Sequence, residues 1–248
     1  MRAAVFALSL LLCAPAWAGR FLDGELVVDG QKVAVRWNDG DSFGFTDGPL
    51  AGKRARLMDV NALENYGPVH RWGDWSRWEL YQLSLMSAET AVQQAWTCTV
   101  TDRPDRFGRL LVRCPGLARE LVRQGHAMVF AIDDPPRPDL LAAQRDAQKR
   151  GAGMWKKGVP SKIVSGAHSS LEGEGEGYDR IVDTRTGRAQ AVKHSNAYET
   201  CEDVCVGQGK GASCLVYVPF RRRYRDPPPC LTNPKVEPLP PQPRHPPP

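Results

Sequence analysis

Apolar and polar residues alternate along several short segments in the first half of the chain, and Asp-Gly pairs separate the earliest of these segments. A period of two is typical of β-strands with one buried face, and Asp-Gly favours the turns between them. The last two segments flank a long polar loop and therefore predict a hairpin. The predicted strands are 32–37, 42–46, 54–60, 97–101 and 110–114.

Helical periodicity replaces this alternation at three places. In the first, Trp78, Tyr81, Leu85 and Ala88 recur at intervals of three or four residues, so they should share one buried face. The third follows a proline-rich turn and ends at Gly151. The predicted helices are 75–94, 117–124 and 139–150.

Strands that come first, with one helix among them and two helices after them, indicate a mainly β fold with helices, of the α+β class. We expect a five-stranded OB-fold barrel with three helices over 25–157. A mixed sandwich remains the alternative, because periodicity alone does not distinguish the two folds.

The first residues are typical of a cleaved secretory signal. Arg2 precedes an apolar run, 3–13, and the run is followed by small residues at Ala16 and Ala18. This run is shorter than the roughly 18 apolar residues that a membrane-spanning helix needs. We therefore expect a signal peptide over 1–18, no stable membrane span, and export to the periplasm, the envelope or the medium.

Charge and cysteine content agree with export without specifying a function. The formal net charge of +5 becomes +4 without residues 1–18, because that segment carries one arginine and no acid. A mild basic excess suits a polyanionic partner but is also common among exported proteins. Six cysteines remain, and an even number in an oxidising compartment favours disulfides over a zinc site. A bridge between Cys98 and Cys114, across the predicted hairpin, is favoured over two buried thiols.

The composition changes after about residue 157. Residues 158–177 contain a Gly, Glu and Ser stretch and predict a linker. Residues 178–230 hold four cysteines, and a segment of this size needs two disulfides to fold. The proline-rich end, 231–248, predicts an extended tail. The basic run 221–225 either adds affinity for phosphate or is a solvated surface, and both interpretations stay open.

Three short segments concentrate charged residues where the predicted strands end. They are 39–42, 56–64 and 105–109, and each of them alone is typical of an ordinary turn or a solvated strand. Their order and spacing together resemble the staphylococcal nuclease, or thermonuclease-like, family over about 33–155. The motifs that carry the resemblance are Asn38-Asp-Gly-Asp-Ser42, Arg56-Leu-Met-Asp-Val-Asn-Ala-Leu-Glu64, Tyr66-Gly-Pro68, Asp105-Arg-Phe-Gly-Arg109, Glu120-Leu-Val-Arg-Gln-Gly125 and Trp155.

The resemblance implies an OB-fold nuclease that hydrolyses phosphodiester bonds of DNA and RNA with the help of Ca²⁺. By position, Asp41, Asn61 and Ala62 would form the metal site. Asp39 and Ser42 would hold these ligands in place without binding the metal themselves. Oxygen ligands are those that a hard cation prefers. Asn61 stands where the family has a second aspartate, so the metal should bind more weakly here.

The same resemblance assigns the reaction to three further residues. Arg56 and Arg109 would hold the scissile phosphate, because guanidinium groups bind phosphate through two parallel hydrogen bonds. Glu64 would take a proton from the attacking water. The family's nucleotide-binding tyrosines are not matched around 131–133, so the substrate preference between DNA and RNA stays open.

The leading hypothesis is therefore an exported calcium-dependent nuclease with low sequence specificity. The alternative is a module on the same fold that binds nucleic acid or protein without cutting. Retention of Asp41, Arg56, Glu64 and Arg109 favours the enzyme. A third hypothesis gives the C-terminal cysteine segment the role of attaching the nuclease to an envelope or partner.

Overall fold

The computed structural model describes residues 21–173 and 175–242. The predicted signal peptide and the last six residues of the predicted tail lie outside this part of the chain. In chain order, the strands are β1 (Leu22–Val28), β2 (Gln31–Trp37), β3 (Ser42–Phe45), β4 (Arg54–Leu57), β5 (Val60–Ala62), β6 (His70–Trp72), β7 (Trp96–Pro104), β8 (Leu110–Arg113), β9 (Ala127–Val129), β10 (Lys162–His168), β11 (Gly177–Asp183), β12 (Ala189–His194), β13 (Asp203–Val206) and β14 (Ser213–Val216). The helices are α1 (Arg77–Ala91), α2 (Pro115–Gln124), α3 (Pro138–Arg150) and α4 (Pro229–Thr232).

Six strands form a closed barrel in the order β1-β2-β3-β4-β8-β7. Neighbouring strands are antiparallel except for the parallel pairs β1–β7 and β4–β8. The barrel with its helices confirms the α+β class and the OB-fold. The strand count differs from the predicted five because residues before Lys32 form β1, joined to β2 by a tight turn at Asp29 and Gly30.

The predicted strand over 54–60 is two strands. Asp59 adopts a left-handed backbone conformation, with φ of 72°, and this bend separates β4 from β5. Because of the bend, β5 leaves the barrel and pairs with β9. Asn61 and Ala62 thereby lie beside the end of β4, close enough to Asp41 for the predicted metal site.

The predicted helix over 75–94 is α1, but its buried face differs from the one expected. Tyr81 and Ala88 are buried as predicted, whereas Trp78 and Leu85 are only half-buried. Small residues, among them Ser87, form much of the buried face instead. Hydrophobicity did not identify this face, because serines satisfy their hydroxyls by donating to helix carbonyls.

The segment 158–177 is not the linker that its composition predicts. Strand β10 lies within it, and Ile163, Val164 and Ala167 are fully buried. β10 forms a three-stranded sheet with β11 and β12. The Gly, Glu and Ser bias is confined to the connection after β10, so composition misrepresented the buried half of the segment.

We call residues 177–242 the C-terminal module. It is joined to residues 21–157 by strand pairing, by hydrogen bonds and by an ion pair. β14 pairs with β6, so one sheet contains strands from both parts of the chain. Gln144 of α3 donates to the carbonyl of Thr184 at 2.6 Å. Arg77 of α1 binds Asp203 of β13 at 2.5 Å. These contacts make the module a structural part of the same body.

Three disulfides lie within the described residues. Cys98–Cys114 joins β7 to the end of β8, which confirms the predicted cross-hairpin bridge. The C-terminal module has two, as its size predicts. They are Cys201–Cys230 and Cys205–Cys214. No helix among the described residues is long and apolar enough to cross a membrane.

Candidate active site

The turn between β2 and β3 places the first candidate residues. Asp39 accepts hydrogen bonds from the backbone N–H groups of Asp41, at 2.9 Å, and Ser42, at 2.6 Å. The turn packs against α1 at Gly40, where a Cβ atom would lie 2.5 Å from the Cβ of Ser87. Only glycine therefore allows this approach, and α1 fixes the turn that presents Asp41.

Asp41 lies at the centre of the predicted site and is 2% exposed. Both of its carboxylate oxygens bind the guanidinium of Arg56, at 3.0 and 3.2 Å. Ser42 and the backbone N–H of Ala62 donate to the same carboxylate at 2.9 and 2.8 Å. Asn61 joins the group because its side-chain oxygen accepts from Arg56 at 3.1 Å. All predicted metal-site residues are therefore brought together.

Glu64 lies in the loop after β5, at the edge of this group. Its backbone N–H donates to Nε2 of His70 at 3.1 Å, which links the loop to the start of β6. Its carboxylate lies 3.6 Å from Arg180 of β11. The predicted base is thus held from two sides, by His70 of β6 and by Arg180 of the C-terminal module.

Arg109 reaches the site from the loop between β7 and β8. Its Nε donates to Asp105 at 2.7 Å, and the other oxygen of Asp105 accepts from the backbone N–H groups of Phe107 and Arg109. One carboxylate therefore closes the loop and aims its arginine. Arg109 directly precedes Leu110, which pairs with Ala55, so the guanidinium is delivered next to the strand that carries Arg56.

Burial and crowding of carboxylates shape the electrostatics. Burial, with the nearby charges of Asp41 and Glu64, raises the pKa of Asp39 well above its usual range. Burial opposes the charge of Arg56, but Asp41 and its neighbouring carboxylates outweigh it and raise the pKa of Arg56. Burial, aided by repulsion from Arg56, lowers the pKa of Arg180. Carboxylates and guanidinium groups thus lie close together in a poorly solvated space.

These residues open into a cleft of about 1570 Å³ between the barrel and the C-terminal module. Eight cationic side chains line it against four carboxylates, so the cleft favours a polyanion. The cations are Arg36, Lys53, Arg54, Arg56, Arg109, Arg180, Arg221 and Arg223, and the acids are Asp39, Glu64, Glu172 and Glu199. Of the predicted site residues, Asp39, Ser42, Arg56, Glu64 and Arg109 line the cleft.

Several cleft residues that were not predicted come from the C-terminal module. Arg180 contacts Glu64, and Tyr224 accepts a hydrogen bond from Asn38 at 3.2 Å. Arg223 lies over the ring of Tyr66 at 4.7 Å. The basic run is therefore divided, since Arg221 and Arg223 line the cleft whereas Arg222 pairs with Asp226 outside it. The run itself was the only sequence signal for this wall.

The oxygen donors around Asp41 fit a hard divalent cation by their chemistry. A carboxylate, the side-chain oxygen of Asn61 and the carbonyl of Ala62 are ligand types that Ca²⁺ accepts. The carbonyl of Ala62 adjoins Asn61, whose amide donates to it. Each oxygen of Asp41 already accepts two hydrogen bonds, one of them from Arg56. A cation on Asp41 would therefore compete with Arg56 for the carboxylate.

A comparison with protein families agrees with this geometry. Residues 54–157 match the family described as staphylococcal nuclease homologue. The match covers β4 through the end of α3 and includes Arg56, Glu64 and Arg109. Asp41 lies before it and the C-terminal module after it. No curated protein matches the chain. Residues 54–157, which contribute three of the six barrel strands, are therefore similar to the staphylococcal nuclease homologues.

Proposed function

We propose that the protein is a metal-dependent nuclease that hydrolyses phosphodiester bonds of DNA, RNA or both. One observation carries the proposal: a carboxylate, Glu64, shares a cationic cleft with Arg56 and Arg109 on a domain of the nuclease family. Hydrolysis of a phosphodiester needs a proton acceptor for water and cations for the phosphate, and these residues supply both.

In the proposed reaction, Glu64 takes a proton from the attacking water. The water oxygen forms a bond to phosphorus, the bond from phosphorus to one ester oxygen breaks, and the departing oxygen takes a proton from solvent. Arg56 and Arg109 hold the non-bridging oxygens and stabilise the charge that develops on them. His70 keeps the loop of Glu64 in place through the hydrogen bond to its backbone.

We further propose that Ca²⁺ is the metal and that Asp41, Asn61 and Ala62 hold it. When bound, the ion would neutralise charge on the phosphate and lower the cost of the attack. Arg56 binds the same carboxylate, so residues of the metal site and of the phosphate site depend on each other. Asn61 is neutral, which predicts a weaker site than one built with two aspartates.

We also propose low sequence specificity and a preference for unpaired strands, and the aromatic side chains of the cleft support both. Phe107, Phe220 and Tyr224 line the cleft and are each exposed. Aromatic rings stack on any base, and stacking requires bases that are not paired in a duplex. The substrates proposed are therefore single-stranded or frayed nucleic acids.

Export through a cleaved signal peptide is also proposed. The three disulfides of the described residues support it, because disulfides persist in oxidising compartments. The test is the mass of the mature protein recovered from the expressing cell. A chain that begins at Gly19 and is found outside the cytoplasm supports export, and a full-length cytoplasmic chain contradicts it.

A second candidate, a binding module without catalysis, is favoured by one observation. Asp41 is saturated by hydrogen bonds from Arg56, Ser42 and Ala62, and Arg109 is paired with Asp105. When these groups hydrogen-bond to one another, their charges can still attract a polyanion, although none of them is free to promote a reaction.

The deciding experiment uses purified residues 19–248 with single-stranded DNA and with RNA, first in Ca²⁺ and then in excess chelator. Shortened products that need Ca²⁺ support the nuclease. Products that also form in chelator would support the nuclease proposal but contradict its need for Ca²⁺. If the substrate stays intact but binds in a salt-sensitive way, the protein is a binding module and not a nuclease.

A further inference from the structure

Arg180 brings a third guanidinium to the catalytic edge of the cleft, from outside the part of the chain that matches the nuclease family. It lies on β11, opposite Gly166 of β10, where the register of the two strands shifts. Its Nη2 donates to the carbonyl of Ser165 at 3.2 Å. The same group lies 3.6 Å from the carboxylate of Glu64.

The strand opposite Arg180 is built to admit this side chain. A Cβ atom on Gly166 would lie 2.7 Å from both Nε and Nη2 of Arg180. Any larger residue at position 166 would therefore displace the guanidinium. The irregularity in β10 between Val164 and Gly166 lies at the same place. The irregularity in β10 and the missing side chain of Gly166 together make room for one largely buried cation.

Arg180 has more unused hydrogen-bonding capacity than the two arginines predicted from the sequence. Arg56 binds both oxygens of Asp41, and Arg109 binds Asp105 through its side chain. The Nε of Arg180 is buried and has no hydrogen-bond partner among the described residues. A buried donor without a partner costs free energy, and an added acceptor removes that cost.

The charges point to an anion as that acceptor. Arg180 and Arg56 repel each other within the same poorly solvated space. Glu64 is the only carboxylate among the described residues that forms an ion pair with Arg180, and its distance of 3.6 Å is long for a hydrogen bond. A phosphate between these cations would reduce their repulsion and supply oxygens for their N–H groups.

We propose that Arg180 binds a non-bridging oxygen of the substrate phosphate beside Glu64, so that the C-terminal module completes the active site. The proposal rests on the proposed nuclease function for its catalytic consequence. Its binding consequence, a contact with a phosphodiester, holds for nucleic acid whether or not the chain is cut. The two consequences therefore have separate tests.

The binding test measures the affinity of residues 19–248 for a labelled single-stranded oligonucleotide, in chelator, over a series of salt concentrations. Loss of one phosphate contact lowers the slope of log affinity against log salt by about 0.7 for a single strand. We expect this reduction in Arg180→Met. The matched control is Arg185→Met, which removes the same charge from an exposed position of the same module and should leave the slope unchanged.

A second variant separates the position of the guanidinium from its charge. Gly166→Ala keeps Arg180 but displaces the flexible end of its side chain, so the fold should be retained. We expect its affinity to lie between that of the wild type and that of Arg180→Met. In the cleavage assay, Arg180→Met should lower kcat/KM by about 10- to 100-fold, as expected for a hydrogen bond to a charged group.

An unchanged salt slope in folded Arg180→Met overturns the proposal. If cleavage fell while the slope stayed constant, Arg180 would act only on Glu64. If the wild type did not cleave at all, the nuclease proposal would fail, and a reduced slope in Arg180→Met would still support the phosphate contact. Circular dichroism of each variant establishes that the fold is intact before either assay.

Discussion

His70 accepts, through its Nε2, a hydrogen bond from the backbone N–H of Glu64 at 3.1 Å. This role requires a neutral imidazole, because a protonated ring has no acceptor. Burial, with repulsion from Arg77, lowers the pKa of His70 to about 3. The proposed base is therefore positioned by a histidine that stays neutral throughout the ordinary pH range.

The first prediction concerns the pH dependence of stability. In the unfolded chain an imidazole takes up a proton below about pH 6.5, whereas folded His70 does so only near pH 3. Between these values the unfolded state binds more protons, so stability should fall as pH decreases. His70→Gln keeps an acceptor for Glu64 and removes the titration. Urea unfolding at pH 7 and pH 5 should show a smaller loss in this variant.

Burial and repulsion from Arg180 likewise lower the pKa of His168 to about 3. The variant should therefore weaken the pH dependence without abolishing it. Equal losses between pH 7 and pH 5 in wild type and His70→Gln would contradict the role of His70. The measurement needs no substrate, so it is independent of the proposed activity.

The second prediction concerns Glu64 as the proton acceptor. Glu64→Gln preserves the size of the side chain and the backbone hydrogen bond but cannot take the proton. We expect kcat to fall by about 10²- to 10⁴-fold, the usual range for general base catalysis. Glu199→Gln is the matched control, because this exposed carboxylate lines the same cleft and takes no part in the proposed reaction. Full activity in Glu64→Gln would remove Glu64 from the reaction.

Arg109→Ala is the third prediction and tests the phosphate side. The variant loses the guanidinium that Asp105 aims into the site, so kcat/KM should fall while the barrel stays folded. Arg103→Ala, an exposed arginine on β7 near the same loop, is the control for charge alone. Steady-state cleavage of an oligonucleotide compares the two. Equal activities would exclude Arg109 from substrate binding.

Residues close in sequence were predicted better than those that meet only in the folded chain. Asp41, Arg56 and Asn61 lie in short motifs whose order was informative, and they form one hydrogen-bonded group. Arg180 and Tyr224 lie more than a hundred residues after Glu64, and no period connects them to it. Their contact with the site depends on how the C-terminal module packs on the rest of the chain, and the pairing of β14 with β6 is one of these long-range contacts that local pattern does not encode.

Composition was the weaker guide to the C-terminal half. The segment 158–177 was assigned to a linker because of its Gly, Glu and Ser residues, although Ile163 and Val164 begin a buried strand. Deletion of 178–248 is the simplest test of the third hypothesis, in which the module only attaches the nuclease to an envelope or partner. That deletion would also remove Arg180 and one cleft wall, so point variants discriminate better.

The disulfide in the hairpin provides the fourth prediction. Cys98 and Cys114 are 16 residues apart, and closing a loop of this length stabilises a fold by about 3 kcal/mol. The double variant Cys98→Ala/Cys114→Ala should lose about that much in urea unfolding. Cys205→Ala/Cys214→Ala, with a separation of 9, should lose less, because a shorter loop costs less entropy to close. The reverse order would refute the entropic explanation.

The last prediction restores a negative charge to the metal site. Asn61 accepts from Arg56 and adjoins the carbonyl of Ala62, so Asn61→Asp would place a second carboxylate beside Asp41. The added charge should strengthen binding of Ca²⁺, and the concentration that gives half-maximal cleavage should fall about tenfold or more. Calorimetric titration with Ca²⁺ measures the same affinity without substrate.

Arg56 sets the limit of this gain, because it would pair with the new carboxylate as it does with Asp41. The control is Asn233→Asp, which adds the same charge at an exposed position of the C-terminal module. If both variants changed the Ca²⁺ affinity equally, the effect would be one of overall charge. If Asn61→Asp alone strengthened it, Asn61 would be a ligand position and its amide the cause of the weak site.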